Sequence, residues 1–315
     1  MYLGLDIGRQ FVKMVTVNKT KEGFKVLDAG HRLVPEPNQA FDPDKTDRFH
    51  LVMAVKELFR QQGLNLKRVK SVVSGISGTS ASIKQITTME MPAEELASAM
   101  TFEARKHIPM DGTDAVIDFQ IFGSNEREVD KIDVGLVACT KGVLSDHMAM
   151  LKECGLKPGI VDVDPIAITN IFTFIKDMPE DGLVVILDIG SVSSSLIIWG
   201  HGQQYFTRDL PIGGHHFVKE ISAEKDISYT QAQDLLNSDG LSVLEGSSAI
   251  DEKKISVAER AVHDNLVEDV RRSLRYYAKQ NGQSFFLKVF LTGGAAETPG
   301  LSDLISSKLN IKCAV

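Results

Sequence analysis

The sequence contains few cysteines, and their spacing suggests no metal site. Cys139, Cys154 and Cys313 stand far apart in a chain of 315 residues. Zinc sites and disulfide frameworks use closely spaced or regularly paired cysteines. The spacing therefore predicts reduced thiols with no structural role as metal ligands.

An excess of basic residues and a long apolar run are also missing. The chain has 35 basic and 42 acidic residues and a net charge of -7, which argues against broad contact with nucleic acid phosphates. The longest apolar stretches, residues 160–175 and 182–190, are interrupted by Asp, Pro or Gly, whereas a membrane span needs roughly 20 apolar residues. No basic region precedes an apolar run at the N-terminus. We therefore expect a cytoplasmic protein with no nucleic acid partner and no direct insertion into a membrane.

Two common catalytic motifs are absent as well. The sequence has no G-x-x-x-x-G-K-[ST], the motif of P-loop enzymes, and no G-x-S-x-G, the nucleophile elbow of hydrolases. Residues 75–78 read GISG, which is better interpreted as a turn between a strand and a helix. The chemistry must therefore come from another pattern.

The four residues LDIG occur twice, at residues 5–8 and 187–190, each time at the end of an apolar strand. An aspartate at a strand end can face a ligand, and the following glycine lets the ligand approach the backbone. Two such turns can hold phosphates with N–H groups and a hydrated Mg²⁺ with carboxylates. A single D-x-G is usually an ordinary turn, so the repetition carries the prediction.

A pair of glycines gives a third signal. Gly293 and Gly294 follow the apolar strand KVFLT and precede a helix, so a flat ligand group can lie close to the backbone there. Alone, this pair indicates no more than a turn. Together with the two LDIG turns, it favours contact with a nucleotide.

The order of strands and helices suggests two domains, residues 1–182 and 183–315. Within the first, residues of about 82–160 alternate as strand, helix, strand, strand, helix, strand. We expect this βαββαβ-like block to form a compact inserted subdomain.

The two LDIG turns and the Gly-Gly turn, in this order, resemble the phosphate and adenosine motifs of the actin-like ATPase superfamily. The resemblance implies an α/β fold, actin-like (ribonuclease H-like), with duplicated domains around a nucleotide cleft that binds ATP and Mg²⁺. The cleft would be completed by connecting helices at residues 161–170 and 267–280.

A closer resemblance, to the PilM family of type IV pilus assembly, rests on longer stretches. They are VDVDPIAITN, VEDVRRSLRYYAKQ, LTGGAAETPGLSDLI and an E-A-x-x-x-I-P phrase formed by Glu103, Ala104, Ile108 and Pro109. The resemblance implies an FtsA-like position for the inserted subdomain and a role as an ATP-binding scaffold in pilus assembly and twitching motility. It also implies binding of the N-terminal cytoplasmic peptide of a PilN-like inner-membrane protein, with other platform components nearby.

The superfamily resemblance implies a role for each matching position. Asp6 and Asp188 would hold Mg²⁺ through water, and Asp164 would orient the attacking water. The expected nucleotide contacts are Gly8, Arg9, Gln10, Lys13, Gly190, Ser191 and Ser193 for the phosphates, Gly213 and Gly214 for the ribose or phosphates, and Gly293, Gly294 and Ala295 for the adenosine.

Three of these assignments have plain alternatives. Lys13 is equally consistent with a solvated strand lysine, and Asp164 with an acidic residue that the helix dipole favours. Arg9 suits either a phosphate contact or a side chain that fills the cleft or faces solvent.

The first turn carries Arg9, Gln10 and Phe11 where relatives place small hydroxyl residues. We therefore expect ATP binding with slow hydrolysis at most. The alternatives are a filament-forming FtsA-like protein and, with less support, a small-molecule kinase of the same superfamily.

Overall fold

The computed structural model describes residues 1–35, 39–77, 80–107, 114–125, 127–175, 179, 181–244 and 261–315, with the backbone alone at 105–107. The chain divides into two units. Unit 1 comprises Met1–Pro37, Pro43–Asp177 and Gln204–Thr207. Unit 2 comprises Asn38–Asp42, Met178–Gln203 and Arg208–Val315.

The described residues form strands and helices in the following order. The strands are β1 (Tyr2–Ile7), β2 (Phe11–Thr20), β3 (Gly23–Leu33), β4 (Ser71–Ile76), β5 (Ala81–Met89), β6 (Ala115–Ser124), β7 (Lys131–Thr140), β8 (Ile160–Val163), β9 (Leu183–Ile189), β10 (Ser194–Trp199), β11 (Phe206–Leu210), β12 (Phe286–Thr292) and β13 (Cys313–Ala314). The helices are α1 (Arg48–Gln61), α2 (Ala93–His107), α3 (Lys141–Glu153), α4 (Asp164–Phe174), α5 (Gly214–Lys225), α6 (Tyr229–Asp239), α7 (Val262–Asn281) and α8 (Leu301–Leu309).

The first sheet has the strand order β3-β2-β1-β4-β8. β1, β2 and β3 form an antiparallel meander, and β4 and β8 run parallel to β1. Apolar residues that alternate along β1 and β2 form one core with α1 and α3, because a strand presents every second side chain to the same face. The parallel strands β1, β4 and β8 therefore all end at one edge of this sheet.

Helix α1 shows how local sequence fixes an element of this core. Asp47 accepts a hydrogen bond from the backbone N–H of His50, so it caps the helix N-terminus. Val55 and Leu58 are fully buried against the sheet. The apolar residues recur at helical spacing, and the helix covers the sheet with that face.

A separate three-stranded antiparallel sheet has the order β5-β7-β6. Helix α2 covers it, and Leu96, Met100, Val134 and Leu136 are buried in its core. The small sheet and its helix lie within residues 81–140. Because β5 is the first strand in the order β5-β7-β6, it is an edge strand of this sheet.

Two elements expected in the inserted block belong to the first sheet instead. β8 pairs with β4, and Leu151 of α3 is buried in the core of the first sheet together with Cys154 and Leu156. The predicted block of about 82–160 therefore extends beyond the small sheet by α3 and β8. A periodic pattern identifies a helix or a strand, but it does not tell which sheet the element joins.

The sheet of unit 2 has the order β11-β10-β9-β12-β13, which repeats the topology of the first sheet. β9 is buried on both faces over residues 183–187. The repeated strand order confirms the predicted duplication within an α/β fold.

The connecting helix expected at residues 267–280 lies within α7, which ends at Asn281 with Gly282 in the left-handed conformation. Ile108 and Pro109 of the E-A-x-x-x-I-P phrase lie outside the described residues. None of the helices within the described part of the chain is long and apolar enough to span a membrane.

Candidate functional site

The first LDIG turn is closed by the backbone itself. The N–H of Gly8 donates a hydrogen bond to the carbonyl of Phe11 over 3.0 Å. A Cβ atom on residue 8 would stand 2.8 Å from that same carbonyl oxygen, so the turn requires glycine. Asp6 lies opposite Lys13 in the register of β1 and β2, and Lys13 Nζ lies 2.8 Å from Asp6 Oδ2. The structure thus joins Lys13 to the candidate metal-binding carboxylate.

Two of the unusual residues of this turn are bonded to the segment that follows β3. The guanidinium of Arg9 donates a hydrogen bond to the carbonyl of Pro43 over 3.1 Å at an exposed position. Gln10 uses its backbone carbonyl to accept from the N–H of Val34. Arg9 is therefore tied to the segment that follows β3.

The second LDIG turn closes in the same way as the first. The N–H of Gly190 donates to the carbonyl of Ser193 over 3.0 Å, and a Cβ atom on residue 190 would stand 2.8 Å from that oxygen. Both distances equal those of the first turn. Ser191 and Ser193 are half-buried beside this turn.

Two other serines of this hairpin bind within the protein. Ser195, which occupies the register opposite Asp188, donates to Asp209 Oδ1 over 2.9 Å. Burial raises the pKa of the Asp209 carboxyl, and the hydrogen bond from Ser195 partly opposes this effect. Ser194 donates to the carbonyl of Ile212. These two hydroxyls thus bind β10 to Asp209 of β11 and to Ile212, which follows β11.

The N-terminus of α5 packs directly on the second turn. The N–H of Gly214 donates to the carbonyl of Gly190, and the N–H of His215 donates to the carbonyl of Ser191, over 2.9 and 2.8 Å. A Cβ atom on Gly213 would stand 2.6 Å from the carbonyl oxygen of Gly190, so only glycine allows this approach. The positive end of the α5 dipole therefore points to the turn, which favours an anion there.

The Gly-Gly turn after β12 also contacts the second LDIG turn. Gly293 has a φ of 93°, and a Cβ atom on it would stand 2.5 Å from Asp188 Oδ1. The N–H of Ala295 donates to the carbonyl of Ile189, while the Cβ of Ala295 would lie 2.9 Å from a Cβ built on Gly214. Unit 2 thus brings most of its predicted nucleotide contacts together, and Gly294 stands within the same turn.

Asp164 lies at the corresponding edge of the first sheet. It begins α4, with Pro165 following in the first turn. A Cβ atom on Gly75 would stand 2.0 Å from Asp164 Oδ1, so the carboxylate rests on the bare backbone of β4. Because β1 and β4 are parallel with Leu5 opposite Ser74, Asp6 also stands beside this point. Gly75 of the GISG stretch lies in β4 and provides this contact, which the sequence signal alone did not reveal.

The residues suit a phosphate group with a hydrated cation better than a metal held by the protein alone. No group of three or more His, Cys, Asp or Glu side chains is placed to bind a metal within the described ranges. Mg²⁺ usually keeps several waters and takes one or two carboxylates together with substrate phosphates. Glycine turns, a helix N-terminus and single aspartates form such a set.

Comparison with known proteins agrees with this fold. Residues 4–315 match the model of the family described as type IV pilus assembly protein PilM. A cell division protein FtsA of Enterococcus faecalis is 24% identical over 351 aligned residues, which cover all of this chain and 78% of the relative. The FtsA of Bacillus subtilis is 21% identical, with the same coverage of both chains.

Among solved structures, one of a PilM-PilN type IV pilus biogenesis complex aligns with a TM-score of 0.78 and 22% identity, over 99% of this chain and 87% of the other. The ethanolamine utilization protein EutJ from Carboxydothermus hydrogenoformans aligns with a TM-score of 0.56 and 14% identity, over 100% of this chain and 84% of the other. These likenesses confirm the actin-like α/β fold. Since the family model covers nearly the whole length, the chain belongs to the type IV pilus assembly protein PilM family.

Proposed function

We propose that this protein is an ATP-binding scaffold of the type IV pilus assembly platform and that it acts at the inner membrane through a membrane-protein partner. The observation that carries the proposal is the pair of LDIG turns with the same backbone closure, one in each unit. Membership of the PilM family supports the biological setting.

Nucleotide binding follows from what these residues can offer. The turns at Gly8 and Gly190 would let phosphate oxygens approach the backbone closely, and the positive end of the α5 dipole would favour their charge. The Gly293–Ala295 turn lacks large side chains and would accept the flat adenine. Asp6 and Asp188 would hold water ligands of the cation. Mg²⁺, when bound with ATP, would neutralise phosphate charge.

The residues of the first turn lead us to expect that ATP hydrolysis, if it occurs, is slow. Arg9 and Gln10 stand where a small hydroxyl would be expected, and Arg9 is tied to Pro43. Asp164 is the candidate for orienting an attacking water, since it lies at the same sheet edge as Asp6. Binding, rather than turnover, would then select the conformation that the partner recognises.

A PilN-like inner-membrane protein is the proposed partner. The solved PilM-PilN complex, whose fold this chain shares over 99% of its length, supports the proposal. The partner would contribute the N-terminal cytoplasmic peptide, and we expect it to bind beside the small sheet. Other platform components would assemble around the partner.

Calorimetric titration with Mg-ATP tests the nucleotide site. Asp6→Ala and Asp188→Ala are expected to abolish binding, while the exposed control Asp146→Ala retains the wild-type affinity. Circular dichroism checks that each variant is folded. Wild-type binding by both site variants would show that the phosphate turns are wrongly assigned.

The partner is tested separately with a synthetic peptide of the N-terminal residues of the PilN-like protein from the same genome. We expect thermal stabilisation by this peptide, with a larger shift when Mg-ATP is present.

The FtsA likeness supports a second candidate, a filament-forming protein. Sedimentation that requires ATP and no partner would favour that candidate over the scaffold.

A further inference from the structure

A short segment that leads into β11 and includes its first two residues contacts two other parts of unit 1. Residues Gln204 to Thr207 belong to unit 1 although the chain on either side belongs to unit 2. Gln204 and Tyr205 make hydrogen bonds to the small sheet, and Tyr205 also makes hydrogen bonds to α4. Tyr205 is therefore in contact with both elements at once.

The contact with the small sheet is made at its open edge. The backbone N–H of Tyr205 donates to Gln85 Oε1 over 2.6 Å, and Gln204 Nε2 donates to the backbone carbonyl of Gln85 over 3.1 Å. β5, which carries Gln85, is an edge strand, so its outer backbone groups are available for such a contact. One glutamine thus receives two hydrogen bonds from consecutive residues.

The contact with α4 is made by the phenol. The hydroxyl of Tyr205 lies 3.1 Å from Thr169 Oγ1 and 3.2 Å from the carbonyl oxygen of Pro165, to which Thr169 also donates over 2.8 Å. Burial raises the pKa of the Tyr205 phenol to about 12, so the group stays protonated and can donate. Thr169 is 7% exposed, so water does not readily replace these bonds.

The first turn of α4 is also the element that carries Asp164. Asp164 directly precedes Pro165, and its carboxylate rests on Gly75 of β4. A shift of this turn would therefore move the carboxylate along the edge of the first sheet. A line of direct contacts leads from Gln85 through Tyr205 and the first turn of α4 to Asp164.

We propose that Tyr205 is a positioning residue, which couples the small sheet to Asp164 by holding the first turn of α4 against β5. For the nucleotide, this inference rests on the proposed function, because Asp164 acts only if ATP binds. The mechanical part of the proposal, that contact with Gln85 stabilises the first turn of α4, does not depend on nucleotide binding.

The mechanical part is tested by hydrogen exchange on the full chain without nucleotide. Gln85→Ala is expected to speed amide exchange about fivefold at residues 166–170, the effect of losing about one hydrogen bond. Tyr205→Phe keeps the ring and removes only the hydroxyl, and Pro165 retains its bond from Thr169, so the variant is expected to fold. It should speed exchange at the same residues, whereas Tyr276→Phe, at an exposed tyrosine of α7, should not. Unchanged exchange at residues 166–170 in both variants would overturn the proposal.

The second arm adds Mg-ATP and measures exchange at β5. In the wild type, binding is expected to slow exchange over residues 81–89, and Tyr205→Phe should lose this response while its ATP affinity stays within about threefold. If calorimetry detects no ATP binding to the wild type, the proposed function fails, and the first arm still decides the mechanical coupling. If ATP binds and residues 81–89 do not respond in the wild type, coupling to the nucleotide is disproved while the proposed function stands.

Discussion

The ammonium group of Lys13 lies 2.8 Å from the carboxylate of Asp6 across the first hairpin, with about half of each side chain exposed. An exposed ion pair of this kind stabilises a fold by only about 0–1 kcal/mol. We therefore expect Lys13→Ala to shift the melting temperature by less than about 3 °C and to weaken Mg-ATP binding about tenfold, through loss of a charge-assisted phosphate contact. Scanning calorimetry and titration calorimetry measure the two effects. Unchanged affinity would show that Lys13 does not contact the phosphates and only pairs with Asp6.

The contact between Gly75 and Asp164 predicts a sensitive position in β4. In Gly75→Ala the new methyl group would meet Asp164 Oδ1 at 2.0 Å, so the carboxylate must move, and we expect a loss of about 1–3 kcal/mol in unfolding free energy. Gly142→Ala is the control, because its methyl group would meet only Thr140 Oγ1 at 3.8 Å. Urea unfolding measures both variants.

A double-mutant cycle isolates that contact. In the background of Asp164→Ala the substitution at Gly75 should cost much less, because the clashing carboxylate is gone. Equal costs in both backgrounds would show that the loss arises elsewhere in β4.

The left-handed glycines Gly293 and Gly282 form a second matched pair. Alanine at Gly282, which has a φ of 67° and no neighbour within 4 Å, should cost only the conformational term of about 1 kcal/mol. Alanine at Gly293 would also meet Asp188 Oδ1 and the carbonyl oxygen of Ile189, each at 2.5 Å. We expect it to cost at least about 2 kcal/mol more and to reduce Mg-ATP binding. Similar unfolding free energies for the two variants would contradict the tight packing at Asp188.

Stability should depend on pH through His147. Its Nε2 lies 2.8 Å from the hydroxyl of the buried Ser74, and burial lowers the pKa of the imidazole below its ordinary value of 6.5. At pH values below 6.5 the unfolded chain then binds more protons at this residue than the folded chain, so the unfolding free energy falls as the pH decreases.

Urea unfolding between about pH 7 and pH 5.5 measures this slope. His147→Gln should reduce it, whereas His201→Gln, at an exposed position, should leave it unchanged. An identical slope in wild type and His147→Gln would assign the dependence to other groups.

Much of the fold could be predicted from local pattern, because each element carries its own signal. The repeated LDIG predicted two similar turns at strand ends, and the connecting helix expected at residues 267–280 lies within α7. The sequence grouped α3 and β8 in one block with the small sheet, whereas β8 pairs with β4 and Leu151 of α3 is buried in the core of the first sheet. A single sequence does not contain those contacts.

The candidate site could likewise be predicted only in part from the sequence. Glycines at strand ends are visible in the sequence, whereas their partners are not. Contact between Gly75 and Asp164 joins residues 89 positions apart, and Tyr205 reaches Gln85 from 120 positions away. Arg9 lies in a predicted turn, but its bond to Pro43 depends on the path of the chain after β3.

The two hairpin turns are closed by backbone hydrogen bonds, so their shape does not depend on the side chains of the loop. Each turn is held by a hydrogen bond from the glycine N–H to the carbonyl oxygen three residues later. The two residues between them, RQ in the first turn and SV in the second, can therefore differ while the loop keeps its form. The two loops therefore share one backbone form although their side chains differ. Replacing Arg9 and Gln10 by Ser and Val is therefore expected to leave the hydrogen bond between the Gly8 N–H and the Phe11 carbonyl intact.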